Sequence, residues 1–305
     1  MKTDVSVIIP IFNSEPYLRR CLDSVIGQSF FDKMEILLVD DGSTDGCGMI
    51  CDEYASNNSV FSVIHTENQG ASRARRLGLE RASGEYVTFI DSDDFVSRDY
   101  VSSLYDLEKR FHFGISACKV QRIQPGEVSE TDSSFVDSDI LEGDILFHRF
   151  FKYEFWGLYG KLYRRSLLMS VPFPKATICE DYFVMTRLLH QIGRMAYFAK
   201  PLYYYETHMG SLSRGALSLR SFEEFDYVKA VYDFISVNRP EYRAYALSNA
   251  LASAVKLILA SKHTNTDFQE QRKRLSTFLA HHRIESLCCK PLNPKTRLLA
   301  FYCSF

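Results

Sequence analysis

Three carboxylates, Asp91, Asp93 and Asp94, stand within four residues of one another after an apolar run. Carboxylates this close repel one another unless a cation or hydrogen-bond donors lie between them. Hard divalent cations such as Mn²⁺ or Mg²⁺ prefer oxygen ligands and bind phosphate at the same time. The pattern therefore predicts a Mn²⁺ or Mg²⁺ site with Asp91 and Asp93 as ligands and Ser92 against the bound substrate. An acidic turn that caps a helix at residues 95–107 is the structural alternative.

The elements that would position these carboxylates follow from hydrophobic periodicity. Four short apolar runs rich in β-branched residues predict buried strands, and apolar residues at helical spacing separate them. Ser14 as a cap and Pro16 in the first turn mark the start of the first helix. This alternation predicts an α/β fold with a mostly parallel sheet flanked by helices, in which ligands bind beyond the carboxyl ends of the strands. The four predicted strands cover residues 5–11, 35–39, 62–65 and 86–90.

Beyond residue 105 the alternation stops, and most of the remaining chain is predicted to be helical. The polar stretch 124–144 predicts a long loop or a hairpin. Apolar residues recur at helical spacing in residues 181–192, and residues 217–260 have a helical pattern throughout. Residues 268–305 predict short basic amphipathic helices.

The net charge of −2 hides a gradient along the chain. Residues 1–100 contain nine Lys and Arg against 17 Asp and Glu, whereas residues 271–305 contain seven against one. An acidic front favours a carboxylate site, and a basic tail favours contact with something anionic. Neither a base-stacking motif nor a recognition-helix pattern is present, so we expect no nucleic-acid partner.

Cysteine usage and hydropathy bear on the compartment. The eight cysteines follow no disulfide or metal spacing, which predicts free thiols. No uninterrupted apolar run reaches the ~18 residues that span a bilayer. The first residues lead into the first predicted strand without a secretory pattern. These features make the reducing cytoplasm the expected location.

Five segments of the first hundred residues resemble the family 2 glycosyltransferases, an inverting group with the Rossmann-like GT-A fold. Several motifs in one order over a third of the chain are more specific than any one of them. The resemblance implies a mixed or mostly parallel GT-A sheet and a helical C-terminal region. The segments are residues 6–13, 22–30, 35–45, 67–75 and 84–94.

The same resemblance implies a metal-dependent hexosyl- or N-acetylhexosaminyltransferase of the bacterial surface-glycan type. The expected donor is a nucleotide diphosphate sugar, UDP-linked, and the expected acceptor is a hydroxyl of a surface glycan, glycolipid or polyol phosphate. A catalytic domain would cover residues 1–215, with a donor half at 1–105 and an acceptor half at 106–215. Residues 216–305 would form the helical region.

The donor's nucleoside is expected beside the ends of the first two strands. A base could lie against Pro10 and Phe12 and bond to Asn13, although a plain strand-end turn is the alternative. Glu15 could hold a loop, accept from the ribose or cap the first helix. The resemblance implies that Asp41 accepts from the N3–H of uracil.

The donor's diphosphate is expected at the helix that Asn68 precedes, because helix N-termini and arginines both favour phosphate. Three arginines in this helix are too close together to share one face. The family pattern selects Arg75 first and Arg76 second. Solvated surface or an ion pair with Glu80 is the alternative for an arginine that does not bind the ligand.

Residues 156–168 and 179–183 resemble the second half of these transferases, where an acidic pair precedes a helix in the acceptor site. The resemblance implies that Asp181 is the base that deprotonates the acceptor hydroxyl and that Glu180 contacts the sugar or the acceptor. Capping of the helix is the alternative and is compatible with catalysis. Lys161 and Trp156 would border the acceptor, with a core position as the alternative for Trp156.

Residues 203–215 resemble the mobile segment that closes over the diphosphate in related enzymes. The resemblance implies that His208 completes the metal shell and that Ser211 and Arg214 bind phosphate oxygens, with plain surface as the alternative for His208. Many relatives carry an arginine soon after the last tyrosine of this segment. This chain has Glu206, so its diphosphate contacts are expected to differ.

The basic tail, residues 271–305, interleaves Lys and Arg with apolar and aromatic residues. Such a pattern suits an interfacial helix on anionic lipid, which would place the protein peripherally on the inner face of the plasma membrane. Packing on the catalytic domain or an oligomer contact is the alternative.

Two other functions fit parts of the pattern. A nucleotidyltransferase shares the sheet and a carboxylate-held metal, but it would need a glycine-rich loop where this chain has residues 12–15. A non-catalytic, nucleotide-binding subunit of a glycan assembly complex is the second. Intact Asp91, Asp93 and Asp181 disfavour it.

Overall fold

The computed structural model describes residues 3–124, 138–174, 179–207, 217–262, 264 and 267–303. The chain divides into two compact units. The first unit comprises Met1–Leu146, Gly157–Lys175 and Gln191–Ser211. The second comprises Phe147–Trp156, Ala176–His190 and Leu212–Phe305.

Four parallel strands and three crossover helices open the first unit, as the alternating pattern predicts. The strands pair in the spatial order β3, β2, β1, β4. Every residue of the central strand β1 is buried, which explains its mostly apolar sequence. The strands are β1 (Val5–Ile11), β2 (Met34–Asp40), β3 (Phe61–His65) and β4 (Tyr86–Phe89), and the helices are α1 (Glu15–Ile26), α2 (Cys47–Asn57) and α3 (Ala71–Arg81).

The second half of this sheet is mixed. β8 pairs antiparallel with both β4 and β6, β6 runs parallel to β9, and β5 and β7 pair antiparallel with β9. The prediction of a mixed, mostly parallel sheet flanked by helices is confirmed. The strands are β5 (Phe95–Val96), β6 (Ile115–Ile123), β7 (Ser138–Glu142), β8 (Lys161–Arg164) and β9 (Arg194–Glu206), and the helices are α4 (Tyr100–Phe111), α5 (Gly143–Phe151) and α6 (Arg165–Met169).

Two local predictions for the first unit were wrong. The helix expected at residues 95–107 begins only with α4, because Phe95 first pairs with β9 and stacks on Tyr204 at a ring distance of 5.0 Å. The loop or hairpin expected at 124–144 is partly strand, since β7 adds to β9 before α5 begins. Residues 125–137 of that stretch lie outside the described residues.

The second unit is helical, as expected for the C-terminal region. The continuous helix predicted over 217–260 is interrupted at Arg239 and Pro240, where proline lacks the amide hydrogen that a helix interior requires. Its main helices are α7 (Glu180–Ile192, whose last two residues belong to the first unit), α8 (Glu223–Asn238), α9 (Arg243–Ser261), α10 (Gln269–His281), α11 (Arg283–Cys288) and α12 (Pro294–Tyr302).

The segment Pro240–Ser261 is long and apolar enough to cross a membrane by length and composition alone. Its most apolar window is 67% buried inside the structure, as in the core helix of a packed unit. Lys256 on this segment pairs with Glu224 of α8 at 2.8 Å. The apolar character of α9 is therefore accounted for by packing against its neighbours.

Candidate active site

The turn after β1 is tied to the loop after β2 through Asn13. Asn13 has a left-handed backbone (φ 48°), which asparagine tolerates better than most residues. Its side-chain oxygen accepts from the Thr44 amide at 2.8 Å, and its own amide donates to Ser43 Oγ at 3.2 Å. Phe12 is 39% exposed beside this turn, whereas Pro10 is buried within the sheet opposite Val39. Of the predicted base-contacting residues, Phe12 and Asn13 are the accessible ones.

Glu15 and Asp45 lock the starts of α1 and α2 to each other. The Glu15 amide donates to Asp45 Oδ2 at 3.0 Å, and Glu15 Oε2 accepts from the Gly46 amide at 2.8 Å. Asp45 Oδ1 also accepts from the Cys47 amide at 3.1 Å. Of the three roles open to Glu15, holding a loop is the one observed, and it serves the helix that follows β2. Ser14, the expected cap of α1, instead donates to the buried Ser92 hydroxyl at 2.8 Å.

Asp41 fastens the start of α3. Its two carboxylate oxygens accept from the Gln69 and Gly70 amides at 2.9 and 2.7 Å, directly before α3 begins. The side chain is buried, so these donors replace the water that an ionised carboxylate loses. Asn68 lies in the same loop and is exposed. The loops after β2 and β3 thus meet at Asp41.

Its neighbour Asp40 is held by a different set of donors. Asp40 Oδ1 accepts from the Ser43 amide at 3.0 Å. Asp40 Oδ2 pairs with Nδ1 of His65 at 2.8 Å, and the other ring nitrogen faces Asp52 at 3.2 Å. These carboxylates raise the pKa of His65, mainly through the hydrogen bond to Asp40. The adjacent pair Asp40 and Asp41 is therefore relieved of mutual repulsion by donors on both sides.

The arginines of α3 face different partners. Arg75 is buried, and its Nη2 donates to Asp91 Oδ1 at 2.7 Å. Arg76 pairs instead with Glu80 at 2.8 Å, which is the alternative foreseen for an arginine that does not bind the ligand. Arg73 is 3.9 Å from the same glutamate. Of the predicted phosphate-binding pair, Arg75 lies at the carboxylate turn and Arg76 lies in a surface ion pair.

The carboxylate turn itself points its side chains in two directions. Asp91 and Asp93 are partly exposed, whereas Asp94 is completely buried. Burial and the charges of Asp91 and Asp93 raise the pKa of Asp94 well above its usual value. Ser92, predicted to meet the substrate, is 7% exposed and is bonded to Ser14. Asp91 and Asp93 are thus the members of this turn that a ligand can reach.

Tyr203 of β9 binds this turn at two points. Its hydroxyl donates to Asp94 Oδ2 at 2.6 Å and accepts from the Asp91 amide at 3.0 Å. Asp94 Oδ1 in turn accepts from the Glu206 amide at 3.1 Å. The buried member of the acidic cluster is therefore the anchor that fixes the two accessible members.

Glu206, which departs from the family pattern, closes the same network. Its buried carboxylate pairs with Arg20 of α1 at 2.5 Å. Arg20 also donates to the Asp93 carbonyl at 3.2 Å, and its guanidinium lies 4.6 Å from the centre of the Phe95 ring. The end of β9 is therefore held against the carboxylate turn by a charge pair between a buried carboxylate and a partly exposed guanidinium.

The carboxylates of Asp91 and Asp93 fit a divalent cation whose remaining ligands come from a bound substrate. In the described part of the chain, no three His, Cys, Asp or Glu side chains converge on one point. Mg²⁺ is commonly held by one or two carboxylates together with substrate phosphates. Asp91 and Asp93 supply such a pair of hard oxygen donors. The third predicted ligand, His208, lies outside the described residues, as do Ser211 and Arg214.

Lys161, predicted to border the acceptor, is a structural residue. Its ammonium group donates to the carbonyls of Gly157 and Tyr159 at 2.6 and 3.1 Å, and the residue is 3% exposed. It thereby stabilises the turn that leads into β8. These main-chain partners explain the position of Lys161, and its contact with an acceptor stays a prediction.

The acidic pair opens α7 in the second unit. Glu180 is buried and Asp181 is partly exposed. The next residue, Tyr182, stacks on the Trp156 indole at 4.0 Å, and the indole nitrogen donates to the Phe150 carbonyl at 2.9 Å. Trp156 therefore belongs to the packing of this unit, the alternative foreseen for it, and it supports the helix that bears Asp181.

Three residues of this network carry no local sequence signal. Arg20 belongs to the polar side of an amphipathic helix, and its partner Glu206 is 186 positions away. Tyr203 is one of three consecutive tyrosines, with nothing to distinguish it from its neighbours. His65 ends a strand, where polar residues are common. The partners of these three residues become visible only in the folded sheet, whose strand order brings β9 and β3 to the loops of the site.

The family assignment follows from comparison with known sequences. The model of glycosyl transferase family 2 matches residues 6–184, from β1 into α7. EpsH of Bacillus subtilis is 30% identical over 296 residues, which cover 93% of this chain and 76% of EpsH. The chain belongs to glycosyl transferase family 2, and it is a glycosyltransferase.

A second relative agrees with this assignment. The glycosyltransferase GlyA of Streptococcus pneumoniae is 33% identical over 219 residues, or 69% of this chain. The match spans 31% of GlyA's own length, so GlyA contains much that this chain does not match.

Solved structures share the fold. TarS of S. aureus, residues 1–349 in complex with UDP-GlcNAc, has a TM-score of 0.75 at 21% identity, covering 99% of this chain and 87% of that one. The mannosyltransferase PcManGT of Pyrobaculum calidifontis, in complex with GDP-Man and Mn²⁺, has a TM-score of 0.57 at 20% identity, covering 100% of this chain and 87% of that one. At these identities the likeness establishes the GT-A fold.

We predict that Tyr203→Phe destabilises the protein by about 1–3 kcal/mol, because it leaves the buried Asp94 carboxylate and the Asp91 amide each without one partner. Urea unfolding of the full chain measures the change. The matched control is Tyr204→Phe, which loses only a hydrogen bond to the Pro201 carbonyl at 3.3 Å. Equal losses in the two variants would contradict the anchoring role of Tyr203.

The raised pKa of His65 predicts a pH-dependent contribution to stability. A histidine whose pKa is higher in the folded state stabilises it fully below the unfolded value and loses that contribution as the pH rises through the folded value. His65→Gln should therefore lower the unfolding free energy at about pH 6 and have a smaller effect at about pH 9. The exposed His281→Gln is the control. An effect of His65→Gln that is the same at both pH values would rule out the charge pair.

Proposed function

We propose that this enzyme is a metal-dependent, inverting transferase that moves one sugar from a UDP-linked donor to a hydroxyl of a surface glycan, glycolipid or polyol phosphate. One observation carries the proposal: a continuous series of contacts joins the loops that follow β1, β2, β3 and β4. Asn13 bonds to Thr44, Asp41 bonds to Gly70, and Arg75 bonds to Asp91. Ligands of parallel sheets bind along this edge.

The nucleoside would lie at the β1 and β2 end of the edge. Phe12 offers an exposed ring for a base, and Asn13 holds the neighbouring loop. Asp41, which holds the start of α3 beside this loop, would accept from the N3–H of uracil, as the resemblance to the family implies. The UDP-GlcNAc complex of TarS, which shares this fold, supports a UDP-linked donor.

The diphosphate would lie at the β3 and β4 end of the edge. The main-chain amides that open α3 favour anions, and Arg75 adds a fixed positive charge beside Asp91. Asp91 and Asp93 would hold Mn²⁺ or Mg²⁺, and the Mn²⁺ complex of PcManGT supports a cation in this fold. When bound, the cation neutralises charge on the leaving diphosphate. The network through Tyr203 keeps both carboxylates in place.

The acceptor hydroxyl would be deprotonated by Asp181. Inverting transfer needs a carboxylate that accepts the proton while the hydroxyl attacks the anomeric carbon opposite the leaving group. Of the acidic pair, Asp181 is the partly exposed member and Glu180 is buried, which favours Asp181. Residues 1–105 would form the donor half and residues 106–215 the acceptor half, with His208, Ser211 and Arg214 toward the phosphates.

The turn after β1 disfavours a nucleotidyltransferase. Asn13 shapes that turn by hydrogen bonds to the next loop, where a glycine-rich phosphate loop would be needed. The intact carboxylates of the edge also disfavour a non-catalytic nucleotide-binding subunit. The two alternatives differ from a transferase in what they do to the donor.

The test is turnover of a panel of nucleotide sugars by the full chain with Mn²⁺ or Mg²⁺, with and without extracted glycolipid, followed by mass spectrometry. We expect release of UDP from at least one UDP-sugar, accelerated by an acceptor. In a parallel reaction with added pyrophosphate, formation of UTP and sugar 1-phosphate from a UDP-sugar would support a nucleotidyltransferase. If every donor stays intact under all conditions, the transferase function is excluded.

Replacing the base should separate catalysis from binding. Asp181→Asn is expected to lower kcat by roughly 10²–10⁴-fold, the usual contribution of a general base, while the affinity for UDP stays that of the parent. Asp106→Asn, at an exposed carboxylate of α4, is the matched control and should leave both quantities unchanged. Unchanged turnover in Asp181→Asn would refute its role as the base.

A further inference from the structure

The last two helices form a hairpin whose turn and open end are both fastened. Arg297 of α12 donates to the carbonyls of Leu292 and Lys290 at 2.7 and 2.8 Å, which closes the turn. At the open end, the Arg283 guanidinium of α11 lies 6.0 Å from the centre of the Phe301 ring. The start of α11 thus meets the end of α12, and the two helices turn back on each other.

One face of this hairpin packs inward. Ser286 and Ala300 are fully buried, and the Cys289 thiol lies 3.4 Å from the Ala244 carbonyl of α9. Glu285, the one acidic residue among residues 271–305, pairs with Arg243 at 3.0 Å and with His282 at 2.6 Å. Glu285 is 44% exposed, so ion pairs rather than burial neutralise the only negative charge of the segment.

The opposite face is apolar and exposed. Ile284 and Leu287, three positions apart on α11, are 79% and 42% exposed. On α12, Leu298 and Tyr302 are 54% and 68% exposed. Residues at these spacings share a helix face, and a soluble helix normally turns such a face to the core. Here the core side is occupied by small and polar residues instead.

Lysines border this apolar face. Lys295 precedes Leu298 by three positions and Tyr302 by seven, so it shares their face, and Lys290 is exposed in the turn. A basic amphipathic surface with a tyrosine at its edge has the composition of a helix at the boundary of an anionic membrane. A protein-binding face would instead be depleted of lysine at its centre.

The rest of the basic tail is used differently. On α10, Arg274 pairs with Asp226 of α8 at 3.0 Å, and Arg272 lies 3.6 Å from Asp267. Leu275, which follows Arg274, is fully buried. For α10, the helix packing foreseen as an alternative to lipid contact is therefore the one observed, although its partners are helices of the second unit.

We propose that the outward face of the α11–α12 hairpin, formed by Ile284, Leu287, Leu298 and Tyr302 with Lys290 and Lys295, docks this enzyme on an anionic bilayer surface. The apolar side chains enter the boundary between headgroups and acyl chains, and the lysines meet the headgroup phosphates. The charge of the segment is complementary to such a surface, because its single carboxylate is already paired with Arg243 and both lysines are exposed. This places the protein peripherally on the membrane, independently of which sugar it transfers.

The test is co-sedimentation of the full chain with vesicles of phosphatidylcholine alone or mixed with phosphatidylglycerol. We expect binding to the anionic vesicles that weakens with salt. Lys290→Gln with Lys295→Gln should reduce the partition coefficient roughly 25-fold, since each lysine near an anionic surface contributes about fivefold. Ile284→Ser with Leu298→Ser should reduce it by at least about tenfold.

Matched controls come from the same unit. Val237→Ser, at an 80% exposed valine of α8, and Lys262→Gln, at an exposed lysine after α9, should bind vesicles as the parent does. No binding of the parent to anionic vesicles, or equal binding by the hairpin variants, would overturn the proposal. The proposal would also be overturned if sedimentation equilibrium showed that the hairpin variants lose self-association while their vesicle binding is unchanged. Release of UDP from the donor in the absence of lipid should be the same in all variants, which keeps this test separate from that of the transferase activity.

Discussion

The carboxylates of Asp91, Asp93 and Asp94 repel one another, and the structure around the site in the first unit depends on offsetting that repulsion. Each carboxylate needs a compensating group, and the compensation comes from different elements of the sheet. Arg75 of α3 meets Asp91, while Tyr203 and the Glu206 amide of β9 meet the buried Asp94. Solvating one carboxylate by protein donors leaves the other two directed outward, where a cation and an anionic substrate can be held together.

The sheet edge and its reactive groups were largely predictable from the sequence. Apolar runs identify β1 to β4, and motif order identifies the family, because both signals are local. The donors that organise the edge were not predictable. Arg20 and Tyr203 acquire their roles from contacts made across the sheet, and Lys161 looks like a surface cation until its main-chain partners are known. The predicted boundaries of helices and strands were wrong where strand pairing prevailed over the local sequence pattern. Phe95, for example, pairs with β9 instead of starting a helix.

The two ends of the chain use charge in contrasting ways. In the first unit, acidic groups are held by backbone amides and buried donors, which fixes their positions at the cost of exposure. In the α11–α12 hairpin, Lys290 of the turn and Lys295 of α12 remain in solvent near apolar side chains. Fixed acidic groups suit a small ligand that must be held in one orientation. Solvated lysines suit an extended anionic surface that is attracted without a fixed orientation. A near-zero net charge thus conceals two electrostatic functions.

The pair between Arg20 and the buried Glu206 carboxylate also bears on how this site can diverge. The residue at the end of β9 is negative, and the cation that neutralises it comes from α1. A buried charge cannot be lost alone without leaving its partner uncompensated, so the two positions are constrained to change together. Arg20 and Glu206 should therefore covary among close homologues.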